Sequence, residues 1–120
     1  MIDFHNLQVW EKSHKFTVDI YRLTESFPDH ELYGLISQIR RASVSIPSNI
    51  AEGCGKGGHV ELKRYLEIAG GSVSEVEYQL LLARDLGYIK DETFETLNMQ
   101  AVEIKKMLVT YIKKIKQSNN

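Results

Sequence analysis

The stretch LKRYLEIAGGSVSEVEYQLLLA, residues 62–83, decides the architecture of the chain. Its apolar and small residues recur in alternating steps of four and three, the spacing of a helix face that packs on other helices. That face comprises Leu62, Leu66, Ala69, Val73, Val76, Leu80 and Ala83. We therefore predict a helix of about 25 residues, roughly 37 Å long at 1.5 Å per residue.

Three further apolar seams with the same spacing lie outside this stretch. They comprise Val9, Phe16, Ile20, Leu23 and Phe27, with Ser13 at the missing step; Leu32, Ile36, Ile39, Ser43, Ile46 and Ile50; and Leu97, Ala101, Ile104, Leu108, Tyr111 and Ile115. Tyr65, Met99 and Met107 are also expected in the core. No stretch alternates with a period of two, so the sequence predicts helices and no strands.

Turn-forming residues separate the four seams. Pro28 ends the first helix, and Asp29 offers an N-cap oxygen to the second. The glycine-rich run 53–58 separates the second helix from the third. Gly87 supplies a left-handed stop for the third helix, and Asp91 begins the fourth. Because the connections are short, neighbouring helices run antiparallel, which predicts an all-α, up-down-up-down four-helix bundle.

Composition limits the chain to one domain, residues 1–120, with a composition typical of globular proteins at 42% apolar and 26% charged residues. Its apolar stretches are shorter than the ~18 residues of a membrane span, and the N-terminus lacks signal-peptide features. The single cysteine, Cys54, makes no internal disulfide, which favours a reducing cytoplasm. The tail, residues 117–120, is expected to fray.

Two features inside the predicted helices cost stability. Pro47 lies in the second seam and Gly70-Gly71 in the third. A proline in a helix interior costs up to ~3 kcal/mol and a glycine ~1 kcal/mol. We expect nearby serine and asparagine side chains to bond the carbonyl that Pro47 leaves free. The glycines indicate close backbone approach to a neighbouring helix, a neighbouring subunit or a ligand.

The charges are balanced overall and uneven locally. Fifteen basic and sixteen acidic residues give a net charge of −1. Residues 36–66 nevertheless hold five basic and two acidic groups, and Lys105–Lys116 holds five lysines and no acid. Such an excess permits an anion-binding face, although a solvated helix exterior is the alternative interpretation. Arg41 either pairs with Glu75 or Glu77 on the third helix or joins Arg40 in binding phosphate.

Residues suited to catalysis or metal binding are scattered along the chain. The four histidines have no ligand spacing, and Cys54 has no base nearby in the sequence. The run 53–58 follows no strand, and no serine or threonine follows its lysine, so a flexible connector is favoured over a Walker A loop. We therefore predict no metal, no cofactor and no enzymatic activity.

Several motifs together resemble one family over nearly the whole chain. They are FHNLQVWEKSH (4–14), IYRLTESFP (20–28), QIRRASVSIPSNIAEG (38–53), GSVSEVE (71–77) and LGYI (86–89). The pattern is similar to the four-helix-bundle proteins encoded in 23S ribosomal RNA intervening sequences. The resemblance implies a homo-oligomeric ring, a pentamer, without catalytic activity. Relatives of that family, the accessory variability determinants of diversity-generating retroelements, bind nucleic acid and contact a reverse transcriptase.

The leading hypothesis is a ring-forming, non-enzymatic module that binds RNA or DNA phosphates without reading sequence. Its candidate contacts are Arg40, Arg41, Lys56, Lys63, Arg64, Lys105, Lys106 and Lys113. Its candidate subunit-interface residues are Trp10, Tyr21, Pro47 and Asn49. The alternative is a protein–protein interaction scaffold with no nucleic-acid role, in which the arginines form salt bridges within the core or between subunits.

Overall fold

Four long helices make up the structure, a computed structural model that describes residues 1–118. They are α1 (Gln8–Thr24), α2 (Leu35–Gly55), α3 (His59–Asp85) and α4 (Asp91–Ser118), with short 3-10 turns at Phe4–Asn6 and Asp29–Glu31. No strand occurs within the described residues. The bundle measures 48 × 23 × 20 Å.

The helices pack in chain order, and α1 also contacts α4, which closes the bundle. The predicted all-α four-helix fold is confirmed. Every member of the α3 seam is buried, and Ser13 is buried at the step where the first seam lacks an apolar residue. Two residues that were predicted in the core are exposed. Leu32 is 50% exposed because α2 begins three residues later, and Met99 is 71% exposed on the side of α4 that faces an open groove.

The end of α3 forms as the sequence predicts. Gly87 adopts φ 79°. Its N–H donates to the Arg84 carbonyl at 2.9 Å, and the Tyr88 N–H donates to the Ala83 carbonyl at 2.9 Å. These two bonds are the Schellman pattern, in which a left-handed residue lets the chain return over the last turn. Ile89 then lies buried against the core.

The start of α2 differs from the prediction. Asp29 lies in a 3-10 turn and does not cap α2; the residue before the helix is Gly34, which has no side-chain cap. Glu31 takes that role, since one carboxylate oxygen accepts the Leu35 N–H at 3.0 Å. The other oxygen accepts the Tyr88 hydroxyl at 2.8 Å, and together these bonds lower the pKa of Glu31.

Two helix ends extend beyond the predicted limits. Gly53 to Gly55 belong to α2, so only residues 56–58 connect α2 to α3. A Cβ at Gly53 would lie 2.8 Å from the Tyr65 Cβ, so glycine is needed there for α3 to approach. The expected fraying is wrong for Gln117 and Ser118, which are helical, while Asn119 and Asn120 lie outside the described residues.

Pro47 lies inside α2 and is buried. Because proline has no N–H, the carbonyl of Ser43 loses its helical partner. The partner that replaces it is Thr17 of α1, whose hydroxyl donates to the Ser43 carbonyl at 2.8 Å. The expectation of a local serine or asparagine was therefore wrong, because Ser43 Oγ bonds the Arg40 carbonyl and Asn49 bonds Ser45.

Candidate nucleic-acid interface

A cleft at one end of the bundle is lined by two of the predicted cationic residues, Lys63 and Arg64. Antiparallel packing places the last turns of α4 beside the first turns of α3. The cleft between them has a volume of about 580 Å³. We call it the basic cleft; it is lined by His59, Val60, Lys63, Arg64, Glu67, Ile115 and Lys116. Three of these residues carry a permanent positive charge and one a negative charge, so the lining favours an anion.

The Tyr65 ring contacts two cations next to this cleft. The Lys56 ammonium lies 5.7 Å from the centroid of the Tyr65 ring, and the Arg64 guanidinium lies 5.4 Å from it. Both distances are within the range of cation–π attraction. Arg64 also approaches Glu61 at 3.5 Å, with both side chains largely exposed. An exposed pair of this kind contributes little, so Arg64 can exchange Glu61 for a phosphate.

The backbone adds to the positive potential of the same end. α3 begins at His59 after Gly58, which offers no side-chain cap to the first turn. The unsatisfied N–H groups of a helix N-terminus carry partial positive charge and favour anions. Lys113 and Lys114 are exposed in the last turns of α4, which end in this region.

The remaining predicted cations lie elsewhere and have other contacts. Arg40 is held within the chain, since its Nε donates to Thr24 Oγ1 at 2.8 Å and its guanidinium lies 4.7 Å over the Tyr21 ring. Lys105 pairs with Glu77 at 2.5 Å. The eight predicted contacts therefore do not form one surface.

Arg41 and Lys106 are the other two predicted contacts away from the basic cleft. Arg41 is exposed on α2, and within residues 1–118 neither of its proposed partners pairs with it. Glu77 is taken by Lys105, and Glu75 accepts a hydrogen bond from Gln79. Lys106 lines a separate groove between α1 and α4.

Two residues of the basic cleft region were missed by the sequence reasoning. Tyr65 was assigned to the core, yet it is only partly buried and holds the two cations. Lys116 was not singled out among the lysines of α4. The sequence could have indicated Lys116, because it directly follows the buried seam residue Ile115. It also lies at the end of α4 that antiparallel packing places next to the start of α3.

The four candidate interface residues have different environments. Pro47 is buried within the bundle, and Asn49 is half-buried with its amide bonded to Ser45 at 2.7 Å. Tyr21 is exposed beneath the Arg40 guanidinium. Trp10 is half-buried and stacks on His14, with ring centroids 5.2 Å apart.

A second concave surface lies between α1 and α4. This groove has a volume of about 880 Å³, and its floor is mostly apolar. We call it the α1/α4 groove; it is lined by Leu7, Gln8, Val9, Asn98, Met99, Val102, Glu103, Lys106, Met107, Thr110, Tyr111 and Lys114. Its apolar lining is typical of surfaces that bind another molecule.

The environments of Cys54 and of the potential metal ligands bear on enzymatic chemistry. Burial raises the pKa of the Cys54 thiol, which keeps it protonated and a poor nucleophile. Within residues 1–118, no three histidine, cysteine, aspartate or glutamate side chains converge in a way that could hold a metal ion. None of the helices in this range combines the length and the apolar character that crossing a membrane requires.

Comparison with known proteins identifies the family. The model of the 23S rRNA-intervening sequence protein family matches residues 5–110. The chain belongs to that family. The resemblance drawn from the sequence motifs is confirmed.

A solved structure from the S23 ribosomal protein family supports this assignment. It is a protein of unknown function from Bacteroides thetaiotaomicron that is 31% identical to this chain. The two superpose with a TM-score of 0.81, over 88% of this chain and 95% of the other. A comparison with curated proteins finds no match.

Proposed function

We propose that this family member is a non-enzymatic module that binds the phosphates of RNA or DNA through the basic cleft. The observation that carries the proposal is the convergence of Lys63, Arg64 and Lys116 in one cleft, with Lys56 beside it on Tyr65. Ammonium and guanidinium groups bind phosphate oxygens and release condensed counterions, which gives affinity without sequence preference.

The proposed assembly is a homo-oligomeric ring, with the pentamer implied by the family resemblance. Its support comes from the glycines in the middle of α3. A Cβ added at Gly70 or Gly71 meets nothing within 4 Å, so no contact within residues 1–118 explains them. Exposed apolar side chains, Ile68 and Tyr78, lie on the same helix. Close approach by a second subunit accounts for both features.

Gly71 provides a test of the assembly. Alanine at position 71 should favour the α3 helix by about 0.5–1 kcal/mol, because glycine loses more backbone entropy on folding. If a neighbouring subunit approaches there, the added methyl group weakens the oligomer. Analytical ultracentrifugation of Gly71→Ala should therefore show dissociation at higher protein concentration than the parent. Gly55→Ala, at an equally open site, is the matched control.

Charge reversal tests the basic cleft. We expect Lys63→Glu with Arg64→Glu to lower the affinity for RNA and DNA duplexes at least tenfold at low salt. The matched control is Arg22→Glu with Lys90→Glu, which changes the same charge at exposed positions near the opposite end of the bundle. Equal affinity of the two variants would refute the assignment of the basic cleft.

A protein–protein interaction scaffold is the second candidate. Arg40 favours this function, because its guanidinium bonds within the chain and is not presented to a ligand. The apolar α1/α4 groove favours it as well, because such a surface suits contact with another protein. The partner would be another protein, such as the reverse transcriptase that relatives of the family contact. An intact oligomer that binds neither RNA nor DNA at low salt would favour this function. Either function fits a cytoplasmic protein whose single thiol is buried.

A further inference from the structure

The α1/α4 groove leaves apolar side chains open to solvent. Val9 is buried at its floor, and Val102, Met107 and Tyr111 are only partly buried along it. Met99, on the same surface, is 71% exposed. Covering these side chains would remove apolar area from water, which favours the binding of an apolar partner surface.

The groove follows α4 over most of its length. Its α4 lining begins at Asn98 and ends at Lys114, which places the two ends about 24 Å apart at a rise of about 1.5 Å per residue. A partner helix of about 16 residues has the same length. Such a helix would lay its apolar face into the groove with anchors at i, i+3 or i+4, and i+7. The length of the groove therefore fits a helix.

The floor of the groove suits a helix better than an acyl chain. Met99 and Met107 are unbranched and flexible, so they adapt to different apolar side chains. Sites for small ligands bury about 70–90% of the ligand surface. A groove in which Met99 remains 71% exposed is too open to enclose an acyl chain in this way. A helix needs only one covered face.

Lysines dominate the charge around the groove. Lys106 and Lys114 line it, together with one carboxylate, Glu103. A smaller cavity of about 230 Å³ lies between the same two helices, shares Glu103 with the groove and adds Lys12 and Lys15. Four ammonium groups and one carboxylate therefore surround the two adjoining cavities, which favours an acidic partner.

Two of these lysines are available to a partner. Lys106 and Lys114 are exposed, and within residues 1–118 neither lies within salt-bridge distance of a carboxylate. The Glu103 carboxylate is already paired, since it lies 2.7 Å from Lys12 Nζ. Lys106 and Lys114 are about 12 Å apart along α4, so they can pair with acidic residues about two turns apart on a bound helix.

We propose that the α1/α4 groove binds an acidic amphipathic helix of a partner protein. The apolar face of that helix covers Met99, Val102 and Met107, and its carboxylates pair with Lys106 and Lys114. Nucleic acid does not match this surface, because phosphates would leave the apolar floor uncovered. The groove also lies on the α1 side of α4, whereas the basic cleft lies on the α3 side. The inference rests on the second candidate function, protein interaction, and adds to it the chemistry of the partner.

Three labelled peptides test the groove in the full-length protein by fluorescence anisotropy. The acidic peptide is an 18-residue helix former with a stripe of leucines at helical spacing and glutamates on both sides of the stripe. The basic peptide has lysine in place of each glutamate, and the scrambled peptide keeps the acidic composition without the stripe. We expect the acidic peptide to bind to saturation, at least tenfold more tightly than the other two at low salt. Its advantage over the basic peptide should shrink as salt screens the charges.

Charge reversal in the groove provides the matched variants. Lys106→Glu with Lys114→Glu should lower the affinity for the acidic peptide at least tenfold and raise the affinity for the basic peptide, an exchange that misfolding would not produce. Arg41→Glu with Lys90→Glu is the control, because it makes the same charge change at exposed positions outside the groove. This control should leave both affinities unchanged. Met99→Ser should lower the affinity for the acidic peptide about threefold or more.

Several outcomes would overturn the proposal. Equal affinity for the three peptides would do so, as would an affinity for the acidic peptide that the groove variant leaves unchanged. Absence of peptide binding, with a lower oligomeric mass of Met99→Ser in analytical ultracentrifugation, would instead assign the groove to a second copy of the chain. Binding of sodium oleate without binding of the acidic peptide would assign it to an anionic acyl chain.

The same titrations separate the groove from the basic cleft. Lys63→Glu with Arg64→Glu should leave the affinity for the acidic peptide unchanged, because neither residue lines the groove. Binding of the acidic peptide without binding of RNA or DNA duplexes would refute the phosphate-binding function and leave the groove site standing. Binding of duplexes without binding of the acidic peptide would refute the groove site alone.

Discussion

Replacing Thr17 by valine tests how the chain tolerates a proline inside α2. The Thr17 hydroxyl donates to the Ser43 carbonyl at 2.8 Å and lies 3.0 Å from the Ser13 carbonyl. The Ser13 carbonyl keeps its helical partner in the variant, but the Ser43 carbonyl does not, because residue 47 is proline. A buried acceptor left without a partner costs about 1–3 kcal/mol. Thr17→Val should lower the free energy of unfolding by that amount.

The proline provides a second arm for the experiment. In the Pro47→Ala background, residue 47 regains an N–H that can donate to the Ser43 carbonyl. Thr17→Val should then cost less, with a coupling between the two sites of about 1–2 kcal/mol. The measurement is urea unfolding at one fixed protein concentration, because an oligomer's stability depends on concentration. Thr96→Val, which removes an exposed hydroxyl bond to Glu92, is the control and should change stability by less than about 0.5 kcal/mol. Equal costs of Thr17→Val in both backgrounds would refute the reasoning.

Three further substitutions have defined expectations. Arg40→Ala removes a partly buried charged hydrogen bond and a cation–π contact, so it should lower the free energy of urea unfolding by about 1–3 kcal/mol. Arg41→Ala, at an exposed position, is the control and should change it by less than about 0.5 kcal/mol. Gly53→Ala should destabilise the protein by about 1–3 kcal/mol through overpacking, whereas Gly55→Ala should not destabilise it. Similar losses of stability in both variants would contradict the close approach of α3 at Gly53. Hydrogen bonds to the Glu31 carboxylate lower its pKa in the folded state below the ordinary value of 4.5. The stabilisation that these bonds give the fold is therefore present above about pH 4.5 and is lost as the pH falls through the folded pKa. Glu31→Gln should therefore weaken the fall of the urea midpoint with acidification below about pH 4.5, and a parallel pH profile would contradict this role.

The fold was predictable from the sequence because helix packing depends on a repeating pattern. The seam of α3 and the left-handed stop at Gly87 are local signals, and each formed as expected. Asp29 was misassigned because residues 29–31 form a 3-10 turn and α2 begins only at Leu35, so the carboxylate that reaches the Leu35 N–H is that of Glu31. The partner of the Ser43 carbonyl was missed because the bond is not local, since Thr17 reaches it only when α1 packs on α2.

The candidate site was only partly predictable. Local charge density pointed to Lys63 and Arg64, which do share the basic cleft. The same criterion also selected Arg40, whose charge is occupied within the chain, because charge density does not show which way a side chain faces. Lys116 became relevant through the antiparallel packing of α4 against the start of α3. Local charge density therefore selected residues on more than one surface of the bundle.

The most direct test of the central claim is the salt dependence of duplex binding by the parent protein, with the oligomeric mass recorded in the same buffer. Neutralising three or four phosphates predicts that log K falls with log salt at a slope of about −3 or steeper. The Lys63→Glu, Arg64→Glu variant should show a slope that is shallower by about 2. An affinity that is undetectable at about 50 mM salt, or a slope that the variant leaves unchanged, would contradict a phosphate-binding basic cleft.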